Sequence, residues 1–365
     1  MSKVVVVGGG NIGTLLFAEL THKNPNCQVY LQTRDLSNWA PKIQVTDYNC
    51  KEEYSISTDK VVDYVIDDAD YYFFTVPKNA LQNVVVKYIE QVRSNAVFVF
   101  VPGTGGVEFL YSQAQNKSIS FVGMQRVPYI VRLNQYGRSV AKLSVKEQLF
   151  CSGIGICDYT FIDQLLGIPT VPLDNYLCVT LTPSNPILHT SRLYAMFSSR
   201  PIDEACDHNI LFYEEWNDFS SDMLIKMDGE LRKTCDKIEG LNLQQVVSLK
   251  IHYQSPTVEA MTKKISSIVA FKGITSPMKK TEKGYVADVS NRYFLEDFDY
   301  GLVIIKAIAE IAGVDTPNID RVLRWYGSIS GKVILDGKTL NRRKELLIPQ
   351  NYGITSLEQL VEFYK

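Results

Sequence analysis

Residues 3–20 read KVVVVGGGNIGTLLFAEL, and this stretch decides the fold. Four valines follow Lys3 without a polar residue between them, a run too uniformly apolar for a strand with one wet face. It predicts a strand over 3–9 buried on both sides. Gly8, Gly10 and Gly13 then stand in G-x-G-x-x-G spacing, and Ile12, Leu15, Leu16 and Leu20 fall on one side of a helix. The glycine spacing alone is a weak signal. It gains meaning because it follows a buried strand and opens an amphipathic helix. Gly8 permits the tight turn, Gly10 lets a pyrophosphate approach the backbone, and Gly13 lets helix and strand pack closely. Free N–H groups at the helix start would face the phosphates.

Working outward, short apolar runs at 27–33, 71–76, 96–106 and 119–128 alternate with helical patterns, as β-α-β units do. The fold class expected is α/β, an N-terminal Rossmann doubly wound parallel sheet with its ligand at the carboxyl ends of the strands. Past residue 180 helical spacing dominates, over 186–198, 209–238, 242–253, 257–271, 301–312, 317–326 and 355–364. Residues 332–340 interrupt it with an Asp336-Gly337 step that suits a hairpin turn. The chain therefore divides into a dinucleotide-binding domain, 1–180, and a mostly α-helical substrate domain, 181–365. Clefts at such domain boundaries are where small-molecule sites collect.

The kind of dinucleotide is decided about 20 residues after the glycine loop, where NAD enzymes usually place an acidic residue. Here LQTRDLSN (31–38) puts Thr33 at that place and Arg34 after it, with Asp35 next. An arginine suits a 2′-phosphate, so NADP(H) is favoured and NAD(H) stays open. The expected cofactor contacts are Gly8, Gly10, Asn11, Ile12 and Gly13 in the loop, Thr33 and Arg34, and Val76 and Pro77 where the strand over 71–76 ends.

Composition bounds the partners. The chain has 365 residues, 45% of them apolar and 21% charged, with a formal charge of −2. That gives no reason to expect nucleic acid or an anionic membrane as partner. Anion binding must come from local arginines. No apolar run approaches the roughly 18 residues of a membrane span, and no signal peptide is evident. The seven cysteines are odd in number and free of C-x-x-C spacing, which reads as reduced thiols in the cytoplasm with no metal site. The oligomeric state stays open, a homodimer included.

A second group of residues carries chemistry. In SNPILHTSR (184–192), Asn185 suits a helix cap and Pro186 the first helical position, so His189 falls one turn into a helix. The positive helix end favours the neutral imidazole there, able to exchange a proton with a substrate. In VSNRYFLEDFDYGLV (289–303), Arg292 could grip a carboxylate in bidentate fashion, and Glu296 or Asp297 could orient a histidine. Asp299 reads as the cap of the apolar helix that follows. Spacing does not choose between Glu296 and Asp297.

Together these stretches resemble the opine dehydrogenase family, the octopine/nopaline type of NAD(P)-dependent oxidoreductase. The motifs that carry the resemblance are the glycine loop, PGTGGVEF (102–109), QRVPYIVR (125–132), NPILH (185–189), FYEEWNDFSS (212–221) and RYFLEDFDYGLV (292–303). The last is the most specific. The resemblance implies a Rossmann domain joined to an α-helical one, and substrates that are an amino acid and an α-keto acid, often pyruvate. They condense and are reduced to a secondary-amine dicarboxylate. It also implies His189 as acid/base, Asp297 as its orienting partner and Arg292 as a carboxylate binder, with Arg126 and Arg132 further candidates for a carboxylate. Asp299 and Ala287 stand where many relatives carry proline. Two other readings compete: a 2-keto acid reductase of the ketopantoate-reductase kind, for which Lys226 or Lys306 would have to serve, and a non-catalytic NADP(H)-binding redox sensor. The intact set of His189, Arg292 and Asp297 argues against the sensor.

Overall fold

The four valines form the middle of a sheet, each of them inaccessible to solvent. The computed structural model describes residues 2–365. It resolves into two compact units, Met1–Thr180 and Leu181–Lys365.

The strands of the first unit are β1 (Lys3–Val7), β2 (Gln28–Gln32), β3 (Lys42–Asp47), β4 (Glu52–Ser57), β5 (Val61–Val62), β6 (Tyr71–Phe74), β7 (Val97–Phe100), β8 (Ser120–Met124), β9 (Tyr129–Gln135), β10 (Ser139–Val145), β11 (Leu149–Ile154) and β12 (Thr170–Pro172). Eight of them make one sheet in the order β12-β11-β8-β7-β6-β1-β2-β5. From β8 to β5 every pairing is parallel; β11 pairs antiparallel with β8, and β12 runs parallel to β11, so these two strands oppose the other six. The strand order reverses beside β1, and ligands of such sheets bind at the carboxyl ends next to that reversal. Helix α1 (Asn11–Lys23) follows β1 through the glycines, with α2 (Lys78–Gln91) after β6 and α3 (Thr160–Leu166) after β11.

The chain also builds a second sheet, β4-β3-β10-β9, which the sequence reading did not anticipate. It is tied to α1 by a buried ionic network. Lys142 Nζ on β10 lies 2.9 Å from Glu19 Oε1 of α1 and 2.5 Å from Asp47 Oδ2 of β3, and the Tyr54 hydroxyl donates to Glu19 at 2.6 Å. Burial raises the Glu19 carboxyl, but the bonds from Tyr54 and Lys142 outweigh it and hold the group below its ordinary value.

The second unit is mainly helical: α4 (Ser184–Phe197), α5 (Asp218–Lys237), α6 (Val258–Ser267), α7 (Arg292–Leu295), α8 (Val303–Ile311), α9 (Pro317–Ser330) and α10 (Leu357–Tyr364). Residues 303–309 of α8 are all buried, which marks it as the central helix of the unit. Glu230 of α5 caps α9 from outside, accepting from the Asn318 N–H at 2.8 Å and the Ile319 N–H at 3.0 Å. Hairpins β13–β14 (Met278–Thr281, Gly284–Ala287) and β15–β16 (Leu335–Asp336, Thr339–Leu340) complete the unit.

Three local expectations are corrected. Residues 209–217 are not helical, because their backbone groups bond elsewhere: the Phe212 N–H donates to the Ile274 carbonyl, and Arg192 takes the carbonyls of Phe212 and Glu215. Helix α5 starts only where Asn217 caps it, its side chain accepting from the Ser220 N–H. Of 242–253 only Leu249–His252 is helical, after Ser248 as cap. Finally, Asp299 caps nothing. It lies inside a π-turn, Phe298–Leu302, and pairs with Lys332 at 2.5 Å and with Arg343.

Candidate active site

In the first unit the glycines act as expected from sterics. Gly8 has φ +111, a backbone conformation that side chains rarely adopt. A Cβ on Gly13 would stand 1.7 Å from the Gly8 carbonyl oxygen, so α1 could not approach β1 with any other residue there. A Cβ on Gly10 would meet nothing within 4 Å: the backbone is open on the side where a pyrophosphate would lie. The loop therefore fits a dinucleotide. Thr75, just past β6, donates from its hydroxyl to the carbonyls of Val7 and Gly8 at 3.0 Å each, and Val76 packs against Gly8.

Other predicted cofactor residues have structural duties as well. Asn11 Oδ1 accepts from the Leu133 N–H of β9 at 2.7 Å, which commits that side-chain oxygen to the second sheet. Thr33 is buried, and its hydroxyl lies 3.0 Å from the Tyr136 hydroxyl. Arg34 is exposed, with no ion pair among the described residues. Asp35 is exposed, and its carboxylate accepts from the Ser37 N–H at 2.8 Å and from Asn38 at 3.2 Å. The Ser37 bonds hold its carboxyl below the ordinary value. Arg126 is half-buried just after β8, and Arg132 is exposed on β9; both belong to the first unit.

In the second unit, residues from three separate segments converge. Helix α4 begins at Ser184, one residue before the expected cap, so Pro186 is its third residue and His189 lies in the second turn. His189 is 5% exposed. Its Nδ1–H donates to Asp297 Oδ2 at 2.7 Å, which fixes the tautomer and leaves Nε2 for exchange. Asp297, rather than Glu296, reaches the ring because it stands at the mouth of the π-turn. That turn closes on α4 at Gly301, where a Cβ would come within 3.0 Å of Pro186. Arg292 and Tyr293 open α7, capped by the Asn291 side chain, which accepts from the Tyr293 N–H at 3.1 Å.

The Tyr293 ring stacks on the imidazole, centroids 4.4 Å apart, and Phe212 meets it edge-on at 5.5 Å. His189 Nε2 lies 2.9 Å from the Tyr213 hydroxyl. Burial pushes the Tyr213 phenol well above its ordinary value, and the Tyr293 phenol up as well, so both stay protonated at neutral pH. The Arg292 guanidinium lies over the Tyr293 ring, 5.7 Å from its centroid. A cavity of about 320 Å³ is lined by Asn209, Thr275, Ser276, Asn291, Arg292 and Tyr293 among others.

Two residues missed in the sequence reading hold this arrangement. Tyr213 stood inside FYEEWNDFSS without a role. Arg192, three residues after His189, is 2% exposed and donates to the Phe212 carbonyl at 3.0 Å, the Glu215 carbonyl at 2.7 Å and the Ser220 hydroxyl at 3.3 Å. Burial lowers its guanidinium to about 10, still charged at neutral pH. It secures the irregular turn that presents Tyr213 to His189. The lysines a ketopantoate-type site would need are engaged: Lys306 is buried in an ion pair with Asp320 at 2.8 Å, and Lys226 pairs with Asp222 at 2.7 Å on the surface. Among the described residues no cluster of potential ligands could hold a metal ion, and no helix is long and apolar enough to cross a membrane.

Comparison with known proteins agrees with this architecture. Residues 172–330 match the family model for the NAD/NADP octopine/nopaline dehydrogenase α-helical domain. The chain is 25% identical to tauropine dehydrogenase of Arabella iricolor, covering 99% of this chain and 100% of that one. It is 27% identical to opine dehydrogenase of Haliotis discus hannai, covering 98% of each. A structure of octopine dehydrogenase determined with NADH and L-arginine superposes with a TM-score of 0.85 at 22% identity, covering 100% of this chain and 99% of that one.

Proposed function

We propose that the chain is a member of the opine dehydrogenase family that condenses an amino acid with pyruvate and reduces the product to a secondary-amine dicarboxylate, with NADP(H) as preferred cofactor; the match of residues 172–330 to that family's helical domain and full-length likeness to tauropine and opine dehydrogenases support the reading. The observation that carries the proposal is the hydrogen-bonded set Asp297–His189–Tyr213 beside Arg292, all within the helical unit. Reductive condensation of an alkylammonium with a ketone takes up one proton and releases one water per turnover, so the site needs a group that trades protons. His189 is that group, and Asp297 holds its ring and balances the charge when Nε2 is protonated. In the forward direction His189 first accepts a proton as the amine attacks the keto carbon. It then returns one to the departing hydroxyl, which leaves as water.

Arg292, charged and exposed at the cavity wall, supplies the planar fork that a substrate carboxylate requires. Gly8, Gly10, Ile12 and Gly13 would hold the pyrophosphate, and Arg34 a 2′-phosphate. When bound, the nicotinamide supplies the electron pair and hydrogen that reduce the imine carbon. Support for NADP(H) comes from the unpaired charge of Arg34 and from the prior engagement of Asp35.

The test is cofactor oxidation with pyruvate alone, an amino-acid pool alone, and both, run with NADPH and with NADH. The expected outcome is turnover only with both substrates, faster with NADPH, and a product mass equal to the two substrates less water plus two hydrogens. Oxidation with the keto acid alone would replace the proposal with simple keto-acid reduction.

A further inference from the structure

The second sheet returns to the glycine loop through one turn. Tyr136 lies between β9 and β10, and its hydroxyl is 3.0 Å from that of Thr33, just past β2. A Cβ on Gly9 would stand 3.1 Å from Thr33 Oγ1, 3.2 Å from the Tyr136 hydroxyl and 2.9 Å from Trp39 Cζ2, so all three side chains close over this glycine. Trp39 meets the Tyr136 ring edge-on at 5.6 Å, and its indole N–H is buried without an acceptor among the described residues. The turn is tethered on both sides. The Leu133 N–H donates to Asn11 Oδ1 at the start of α1, and the Ala40 N–H donates to the Gly137 carbonyl at 3.0 Å. Gly137, at φ +68, packs so tightly that a Cβ there would come within 2.5 Å of the Asn38 carbonyl oxygen.

Thr33 stands where dinucleotide enzymes usually place an acidic residue for the adenosine ribose, yet it is 6% exposed and its hydroxyl is engaged by Tyr136. Tyr136 is 37% exposed, which makes it the solvent-facing member of the pair. We infer that the Tyr136 hydroxyl, backed by Thr33, takes the place of that acid and holds the 2′-oxygen of the cofactor's adenosine ribose. The inference rests on the dinucleotide reading of the glycine loop and adds to it a contact from the second sheet. A carboxylate at this place accepts from a ribose hydroxyl but repels a 2′-phosphate. A phenol carries one donor and can also accept. With the Thr33 O–H donating to Tyr136, the Tyr136 O–H is left to donate to a ribose or phosphate oxygen, and it brings no charge against the phosphate that Arg34 would pair. The tethers at Asn11 and Gly137 fix the phenol over the loop, and Gly9 leaves the room it needs.

The experiment is fluorescence titration of the full chain and of Tyr136→Phe with NADPH, NADH and 2′-deoxy-NADH, which lacks the adenosine 2′-oxygen, alongside Arg34→Gln. Phenylalanine keeps the edge-on contact with Trp39 and removes only the hydroxyl. The expected result is a dissociation constant raised about ten- to a hundredfold for NADPH and about three- to tenfold for NADH in Tyr136→Phe, the costs of losing a bond to a charged and to a neutral group. For 2′-deoxy-NADH the variant and the wild type should bind alike. Wild-type affinity of Tyr136→Phe for NADPH and NADH overturns the inference. An equal loss for all three ligands overturns it as well, because the tyrosine then only shapes the loop. If Arg34→Gln keeps the wild-type ratio of NADPH to NADH affinity, the 2′-phosphate role of Arg34 fails while Tyr136 is still judged by 2′-deoxy-NADH. A wild type that binds none of the three ends the dinucleotide reading and this inference with it. Should Tyr136→Phe not fold, the wild type decides: binding 2′-deoxy-NADH as tightly as NADH means that no group holds the 2′-oxygen, and the inference is wrong.

Discussion

The glycine loop and the histidine site are built in opposite ways. The loop is six contiguous residues whose working parts are backbone N–H groups and the absence of side chains. The histidine site is made of side chains on α4, on the 211–217 turn and on the 292–297 segment, with His189 and Asp297 separated by 108 positions. A site of the first kind fails when a Cβ is added. A site of the second kind fails when one polar atom is lost, and it needs buried polar supports such as Arg192 to hold its irregular backbone.

The sharpest break between the two regions is expected from glycine. Gly13→Ala forces a Cβ against the Gly8 carbonyl oxygen, a backbone atom that cannot rotate away. It should destabilise the first unit by at least the ~1–3 kcal/mol typical of overpacking and abolish cofactor binding, read by thermal melting and by fluorescence titration of NADPH. Gly10→Ala has open space and should melt like the wild type while binding NADPH more weakly. Equal melting of the two variants would refute the close-approach argument. Next in size, Arg292→Gln should raise KM for the keto or amino acid by about ten- to a hundredfold, the effect of losing a hydrogen bond to a charged group. Its melting temperature should hold, because the side chain is exposed.

The smallest effect separates the units by pH. In the first unit, burial raises the carboxyls of Glu19 and Asp47, but the hydrogen bonds they accept, Lys142's among them, leave both below their ordinary values. Their contribution is complete above the unfolded carboxylate pKa and is lost as pH falls through the lower folded one. In the second unit, burial raises Asp228 and Glu230. There the folded state takes up protons first, so acidification adds stability as pH falls from the raised folded values to the ordinary ones. Hydrogen exchange on lowering the pH below about 4 should therefore rise over 42–57 and 139–145 before it rises over 218–237. The reverse order would contradict these assignments.

The sequence was most legible where structure is local. A buried valine strand, three glycines and an amphipathic helix follow one another in the chain, and each obeys a short-range rule. The second sheet escaped notice because its strands are half polar and pair across long separations, β10 with β3 for example. Of the residues of β9, only Tyr129 is fully buried, so there is little apolar periodicity to read. Residues 209–217 have helical spacing but lose their carbonyls to a guanidinium that no local pattern announces. His189, Arg292 and Asp297 stood out by motif, whereas Tyr213 did not. A tyrosine in a chain with 21 of them carries no signal until the structure brings it to Nε2.

The central claim is that the helical unit supplies the acid–base group and the glycine loop only holds the cofactor. The most direct test is His189→Asn, assayed for kcat/KM with both substrates and, separately, for NADPH affinity. The account predicts a loss of about 10²–10⁴-fold in kcat/KM with the NADPH dissociation constant unchanged. Wild-type kcat/KM in that variant would contradict it.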